Sequence, residues 1–278
     1  MNFIARIGRA ERSNDSLLCI GLDPDPARFP DPWESDASRI FDFCRAIVDA
    51  THDLAIAFKP QIAYFAAQRA EDQLERLIAH IHAVAPNVPV ILDAKRGDIG
   101  STAQQYAVEA FERYRADALT LSPFMGLDSI EPYFDYPDKG LFLLCRTSNP
   151  GGSDLQGQAL ASGEALFEHI ARLAQGRWNR HRQLGLVVGA TFPAELTRVR
   201  ELAPDLPLLI PGVGAQGGDA EATVRCAWRA HEGRTTAPIL VNSSRAILYA
   251  SRGADFAAAA RRAALDAREV LNRSRHAG

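Results

Sequence analysis

Apolar residues follow two alternating rhythms along this chain. One is a short, near-continuous run. It occurs eight times, as SLLCIGLD (16–23), LAIAFKP (54–60), VPVILDAK (88–95), ALTLSP (118–123), GLFLLCRT (140–147), LGLVVGA (184–190), LPLLIPG (206–212) and APILVNS (237–243). Runs that are apolar at both parities suit strands covered on both faces. The other rhythm spaces apolar residues three and four apart, as in EDQLERLIAHIHAVA, TAQQYAVEAFERYR, ALFEHIARLAQGRWNR and DAEATVRCAWRAHE, which predicts amphipathic helices between the strands. The alanine-rich tail DFAAAARRAALDAREVLNRS predicts a closing helix. Eight strands, seven connections and that helix predict an α/β fold, a parallel (β/α)8 TIM barrel forming one domain over residues 1–278. A doubly wound open sheet is the alternative that the same strand count allows. No Pro/Gly linker divides the chain. The long connection 146–183 opens with RTSNPGGSDLQGQ, a polar glycine-rich stretch suited to a lid or substrate loop.

In a parallel barrel the site forms where the strands end. The first strand ends in Asp23, the second in Lys59, the third in Asp93 and Lys95, and the fifth near Thr147, Ser148 and Asn149. Asp93 and Lys95 stand two apart, so a regular strand points both to one face. Asp98 falls beyond the strand, placed either to return to the same site or to reach a neighbouring subunit. Gly100, Ser101 and Thr102 read as a helix start, with the hydroxyls available as caps. Only three of the chain's 31 basic residues are lysines, and two of them, Lys59 and Lys95, fall on this face. The choice matters, because an ammonium can release a proton and a guanidinium cannot. A structural ion-pair cluster is the bland account of Asp-x-Lys-x-x-Asp. The second lysine and the position at the strand ends favour chemistry.

The seventh strand runs into PGVGAQGGD (211–219), which has four glycines and leads into a helix. Free backbone N–H groups at a helix start bind phosphate, and barrels place such sites after strands seven and eight. Arg245, after strand eight, is placed to clamp the same group with paired donors. His80 and His82 read as surface residues. No His/Cys/carboxylate cluster has metal-ligand spacing, so no metal is expected. There is no dinucleotide fingerprint and no nucleophile elbow.

Bulk properties narrow the classes further. A net charge of −3 offers no basic surplus for a nucleic acid polymer. The four cysteines form no C-x-x-C pair, and Cys19 and Cys145 sit in apolar runs as expected of buried free thiols. That usage, together with an N-terminus charged throughout and no span of membrane length, leads to an expected cytoplasmic location without membrane contact.

LDAKRGDIGSTA closely resembles the signature of the orotidine 5′-phosphate decarboxylase family, and GLDP, FKPQIAYF, TSNPGG and PGVGAQGGD follow that family's order, most like its longer bacterial subgroup. The resemblance runs from about Cys19 to Arg245. It implies a homodimer of barrels with shared active sites and no cofactor, converting orotidine 5′-monophosphate to uridine 5′-monophosphate and CO2. By position it implies that Lys59, Asp93 and Lys95 form a charged row completed by Asp98 of the partner subunit, with Lys95 delivering the proton. Asp23 and Lys59 would hold ribose hydroxyls beside Thr102 of the partner subunit, and Ser148 would meet the pyrimidine. Gln216, Gly217 and Arg245 would hold the phosphate, with Gln216 also bridging to the base side, and Pro211 would touch the substrate. One departure is Ser244, where the family often has glycine. Two rivals remain from the residues alone: a metal-dependent sugar-phosphate decarboxylase on the same scaffold, and a non-catalytic nucleotide sensor.

Overall fold

The computed structural model describes residues 2–214, 217–231, 234–235 and 237–276. Its centre is a barrel of eight parallel strands: β1 (Leu18–Leu22), β2 (Ala57–Pro60), β3 (Ile91–Arg96), β4 (Ala118–Leu121), β5 (Gly140–Arg146), β6 (Leu184–Val188), β7 (Leu208–Ile210) and β8 (Ile239–Ser243). The order is β2-β1-β8-β7-β6-β5-β4-β3. First and last strands pair, Leu18 opposite Val241. The remaining seam, between β2 and β3, is closed by parallel bridges Phe58–Val90 and Gln61–Asp93. Across it the Phe58 N–H donates to the Pro89 carbonyl at 3.0 Å. An open doubly wound sheet never joins its first strand to its last, so that alternative is set aside.

Side-chain alternation explains why the runs are apolar at both parities. Cys19, Ala57, Ile91, Ala118, Phe142, Val187, Leu209 and Leu240, one from each strand, fill the barrel interior. The opposite parity packs under the surrounding helices, as with Leu18, Phe58, Leu92, Leu119, Leu141 and Leu186. Helix α1 (Phe3–Asn14) plugs the end where the strands begin. The side chain of Asn2 caps it, accepting from the Ala5 N–H at 2.9 Å. Phe3 meets Phe142 edge to face at 5.8 Å. Gly140 permits that approach, because a Cβ there would lie 2.1 Å from the Phe3 ring. Arg6 pairs with buried Asp117, whose carboxylate also takes His82 at 3.0 Å. Burial opposes that charge, but the His82 hydrogen bond and the Arg6 cation outweigh it and lower the Asp117 pKa to about 2.

Around the barrel run α2 (Ile40–Thr51), α3 (Ile62–Ala66), α4 (Glu71–Val84), α5 (Gly100–Val108), α6 (Leu166–Gln175), α7 (Pro193–Leu202), α8 (Ala220–Ala227), α9 (Arg245–Leu248) and α10 (Phe256–His276). Several expected helices stop early. Helix α6 ends at Gly176. Helix α8 ends before Trp228, and a two-residue antiparallel ladder, 230–231 with 234–235, follows it. Both histidines expected at the surface are half-buried on α4, His80 against Asp49 at 2.5 Å and His82 against Asp117. Cys19, Cys44 and Cys145 are buried free thiols, as expected of the first and third, and Cys226 is half-buried. Burial pushes Cys19 up to about 12, so it is a packing residue beneath the site rather than a nucleophile. Among the described residues no helix is long and apolar enough to cross a membrane.

The plug is expected to carry a large share of the barrel's stability. Phe3→Ala should lose about 3 kcal/mol in urea unfolding, as for other buried aromatic truncations. A loss below about 1 kcal/mol would show that α1 merely rests on the barrel.

Candidate active site

The C-terminal ends of the strands surround a cavity of about 540 Å³. Asp23, Lys59, Asp93, Lys95, Ser148, Pro211 and Arg245 all line it. Residues from six different strand ends thus meet at one place, from segments up to 222 positions apart in the sequence (Asp23 to Arg245).

The centre is a three-member ion group. Asp93 Oδ2 accepts from Lys59 Nζ at 2.9 Å, and its Oδ1 accepts from Lys95 Nζ at 2.7 Å. Asp93 is only 7% exposed and Lys59 only 5%, whereas the Lys95 side chain is 46% exposed. Burial works against charge on both inner members, but their mutual attraction decides the outcome. Burial alone would neutralise Lys59; the negative charges of Asp93 and Asp23 overcome it and hold its pKa above the usual lysine value. Burial likewise opposes an ionised Asp93, and the two ammonium groups overcome that and hold its carboxyl far below the usual range. One anion between two cations leaves a net positive charge, and Lys95 presents it to the cavity.

Asp93 and Lys95 do share a face, but not through regular strand geometry. Lys95 has a φ of 48°, in the left-handed region, and the β3–β4 register breaks between Leu92 and Arg96. A bulge therefore aims the lysine, as bulges commonly do beside active sites.

Asp23 is held on one side only. Its Oδ2 accepts from the Ser244 hydroxyl at 2.7 Å, while Oδ1 is buried and has no hydrogen-bond partner among the described residues. Asn242 Oδ1, on the same wall, is likewise buried and without a partner among the described residues. Two open acceptors in a closed wall await hydroxyl or N–H donors. The Ser244 departure thus has a visible role in orienting Asp23.

The β5 end is braced from below. Buried Arg146 donates through Nε to Glu195 at 2.5 Å and through Nη2 to the Ser153 hydroxyl at 2.9 Å. Gln156 Oε1 accepts from the Thr147 N–H at 2.8 Å. Gly189 passes so close to Ser148 that a Cβ there would lie 2.5 Å from the Ser148 Cα. The expected substrate loop is therefore tied to the barrel at its root, with Ser148 and Asn149 facing the cavity.

The glycine-rich turn differs from expectation. The N–H groups of Gly214, Gly217 and Gly218 are used within the turn, bonding Gly218, Gly214 and Gly212 carbonyls at 3.0, 2.8 and 3.0 Å. The start of α8 is capped by Asp219, which accepts from the Ala222 N–H at 2.6 Å, so an anion already stands there. Gly212 and Val213 line the cavity, but Gly217 does not, and Gln216 lies outside the described residues. In this conformation Arg245 is the member of the expected phosphate group, beside Pro211, that lines the cavity.

Asp98 and Thr102 do not line this cavity either. Asp98 Oδ1 accepts from the neighbouring Ile99 N–H, and Thr102 is exposed. The hydroxyls of Ser101 and Thr102 do not cap α5: Ile99 is its N-cap, without a side-chain bond. Among the described residues no group of three or more His, Cys, Asp or Glu side chains is arranged to hold a metal. Thr120 and Asn242 were not singled out from the sequence, although each is a polar residue inside an apolar strand at inward parity.

Comparisons with known proteins agree with this geometry. The chain is 71% identical to the orotidine 5′-phosphate decarboxylase of Methylibium petroleiphilum, covering 99% of this chain and 100% of that one. It is also 71% identical to the protein of that name from Polaromonas naphthalenivorans, over 99% and 97%. The solved OMP decarboxylase of Leishmania donovani superposes with a TM-score of 0.85 at 38% identity, covering 100% of both chains. A profile of the orotidine 5′-phosphate decarboxylase / HUMPS family matches residues 16–263. The charged row, the barrel that carries it and this likeness along the whole chain converge, and the chain belongs to the orotidine 5′-phosphate decarboxylase / HUMPS family.

Proposed function

We propose that the Lys59–Asp93–Lys95 group performs the orotidine 5′-phosphate decarboxylase chemistry of this chain, turning orotidine 5′-monophosphate into uridine 5′-monophosphate and CO2 as the final step of UMP synthesis. The observation that carries this reading is Lys95, a cation fixed by buried Asp93 and open to the cavity. Loss of carboxylate leaves an electron pair on a ring carbon with no carbonyl placed to absorb it. A preorganised ammonium stabilises that charge as it forms and costs no reorganisation at that moment. Lys95 then donates its proton to the same carbon.

The other residues position the substrate. Asp23 Oδ1 and Lys59 take ribose hydroxyls, Ser148 takes the pyrimidine, and Arg245 takes phosphate. Because Gly214, Gly217 and Gly218 spend their N–H groups within the turn, phosphate binding reorganises it and brings Gly217 onto the ligand, where Gln216 is expected to join it. Binding energy far from the breaking bond then closes the site. The metal-dependent rival has no observation in its favour, since both oxygens of Asp93 are engaged by lysines.

A homodimer completes the row. Asp98 and Thr102 lie outside their own cavity, and apolar residues stand exposed beside them: Ile99 at 51%, Phe124 at 75% and Met125 at 45%. These follow the adjacent strands β3 and β4 on the mouth side. A second copy covering this face would bury them and offer Asp98 of the partner subunit to Lys95. We place the enzyme in the cytoplasm, on its buried free thiols and its substrate.

Three outcomes are expected. Lys95→Ala should lower kcat by at least about a thousandfold while UMP affinity changes by less than about tenfold. Near-normal turnover removes Lys95 from its role. Lys95→Ala and Asp98→Ala should each be nearly inactive, yet mixing and reassociating them should restore roughly a quarter of parental activity, because half of the dimers then hold one intact site of two. A mixture as inactive as its components argues against shared sites. Finally, 13C NMR should show the Asp93 carboxyl still ionised where an ordinary aspartate is already protonated. Its stabilising contribution is present above the ordinary aspartate value and is lost only as pH falls through the depressed one. Lys59 has a raised pKa, so its share persists at lower pH and is lost only as pH rises past the lysine value of 10.5. A titration step for Asp93 near pH 4 would contradict the shared-anion arrangement.

A further inference from the structure

We infer that Thr120 is a positioning residue of this reaction, holding the β3 bulge that aims Lys95. The inference rests on the reading of Lys95 as proton donor. The β3–β4 ladder is regular through Ile91–Ala118 and Leu92–Leu119, then resumes at Arg96–Leu121. One residue of β4, Thr120, thus stands opposite three of β3: Asp93, Ala94 and Lys95. Two residues too many must be accommodated there, and their N–H groups lose the backbone acceptors a ladder would supply.

The threonine hydroxyl replaces those acceptors. Thr120 Oγ1 accepts from the Ala94 N–H at 3.0 Å and from the Lys95 N–H at 2.9 Å. Its own proton goes to Asp93 Oδ1 at 2.9 Å. A hydroxyl has one donor and two acceptor sites, so this one is fully used, and each partner belongs to the bulge. Thr120 is 1% exposed, so its hydroxyl is turned to these partners rather than to bulk solvent. Its β-branched side chain has restricted χ1, which fixes the direction of the hydroxyl.

The consequence falls on the ammonium. Lys95 occupies a left-handed backbone position that a residue other than glycine rarely adopts, and it persists only where the surroundings impose it. Asp93 Oδ1, which receives the Thr120 proton, is also the oxygen that receives Lys95 Nζ. Thr120 therefore sets both ends of the lysine, its backbone torsion and the oxygen that holds its tip. Oδ2 is left to Lys59. Through these two groups Thr120 fixes where the proton stands relative to the ring carbon, without itself touching it.

The test compares Thr120→Val, Thr120→Ala and Thr120→Ser with Lys95→Ala, reading kcat per folded molecule, UMP affinity and melting temperature. Valine keeps the shape and removes the hydroxyl. Thr120→Val should lower kcat by about ten- to a hundredfold, the scale of a displacement near 1 Å at the reacting atoms, with UMP affinity within about threefold. Thr120→Ala should lose a similar amount, and it supplies the measurement should the valine variant not fold. Thr120→Ser should stay within about threefold of the parent in both, a rescue that filling space alone would not give. Parental turnover in the valine or alanine variant, beside an inactive Lys95→Ala, overturns the role of Thr120 and leaves that of Lys95 intact. Equal losses of turnover and UMP affinity also overturn it, since they mark a collapsed cavity. Near-normal turnover in Lys95→Ala overturns the underlying reading and this inference with it.

Discussion

A single carboxylate shared by two ammonium groups is the constraint on which the site depends. Asp93 is buried deeply enough that it would not remain charged alone, and Lys59 is buried more deeply still. Each is tolerable only because the other is there. Such a pair is weak evidence for stability, since replacing it with well-packed apolar residues often costs nothing. Its value lies in direction. Lys59 anchors the carboxylate from β2, Thr120 anchors it from β4, and the cation of the group turned toward the cavity is Lys95. The strands supply the distances and the charges supply the sign.

The rest of the barrel can be understood as keeping that arrangement in register. Eight inward-facing residues of modest size fill the interior below the row, so the strand ends cannot slide without disturbing a packed layer. Above the row, the walls differ in what holds them. The β5 side is pinned through Arg146, Glu195 and Gln156, while the turn after β7 is held mainly by its own backbone bonds. Under the proposed binding mode, the braced β5 wall would meet the reacting ring and the β7 wall the phosphate, which suits a substrate gripped at one end and reacted at the other.

Much of this was legible in the residues. Eight doubly apolar runs carried the barrel, and reading down their ends gave Asp23, Lys59, Asp93, Lys95, Ser148 and Arg245 as cavity neighbours, which they are. What was not legible involves local backbone departures and partners distant in sequence. The left-handed Lys95 breaks the period-two rule that put it beside Asp93, and the contact survives only because a bulge restores it. The N–H groups of the glycine-rich turn looked free, but hydrogen bonds between its own glycines are a matter of torsion angles, not of composition. The capping role expected of Ser101 and Thr102 failed because a left-handed Gly100 begins the helix one step earlier. Thr120 and Asn242 were visible as lone polar letters in apolar strands, yet only the barrel's closure shows what they face.

Helix α1 has a consequence for traffic. With Phe3 and Ile7 seated in the floor, the tube is blind, so reactant and both products share a single doorway. Under the proposed chemistry the order of product release would then be set at the mouth alone, where the product nearer the rim must leave first.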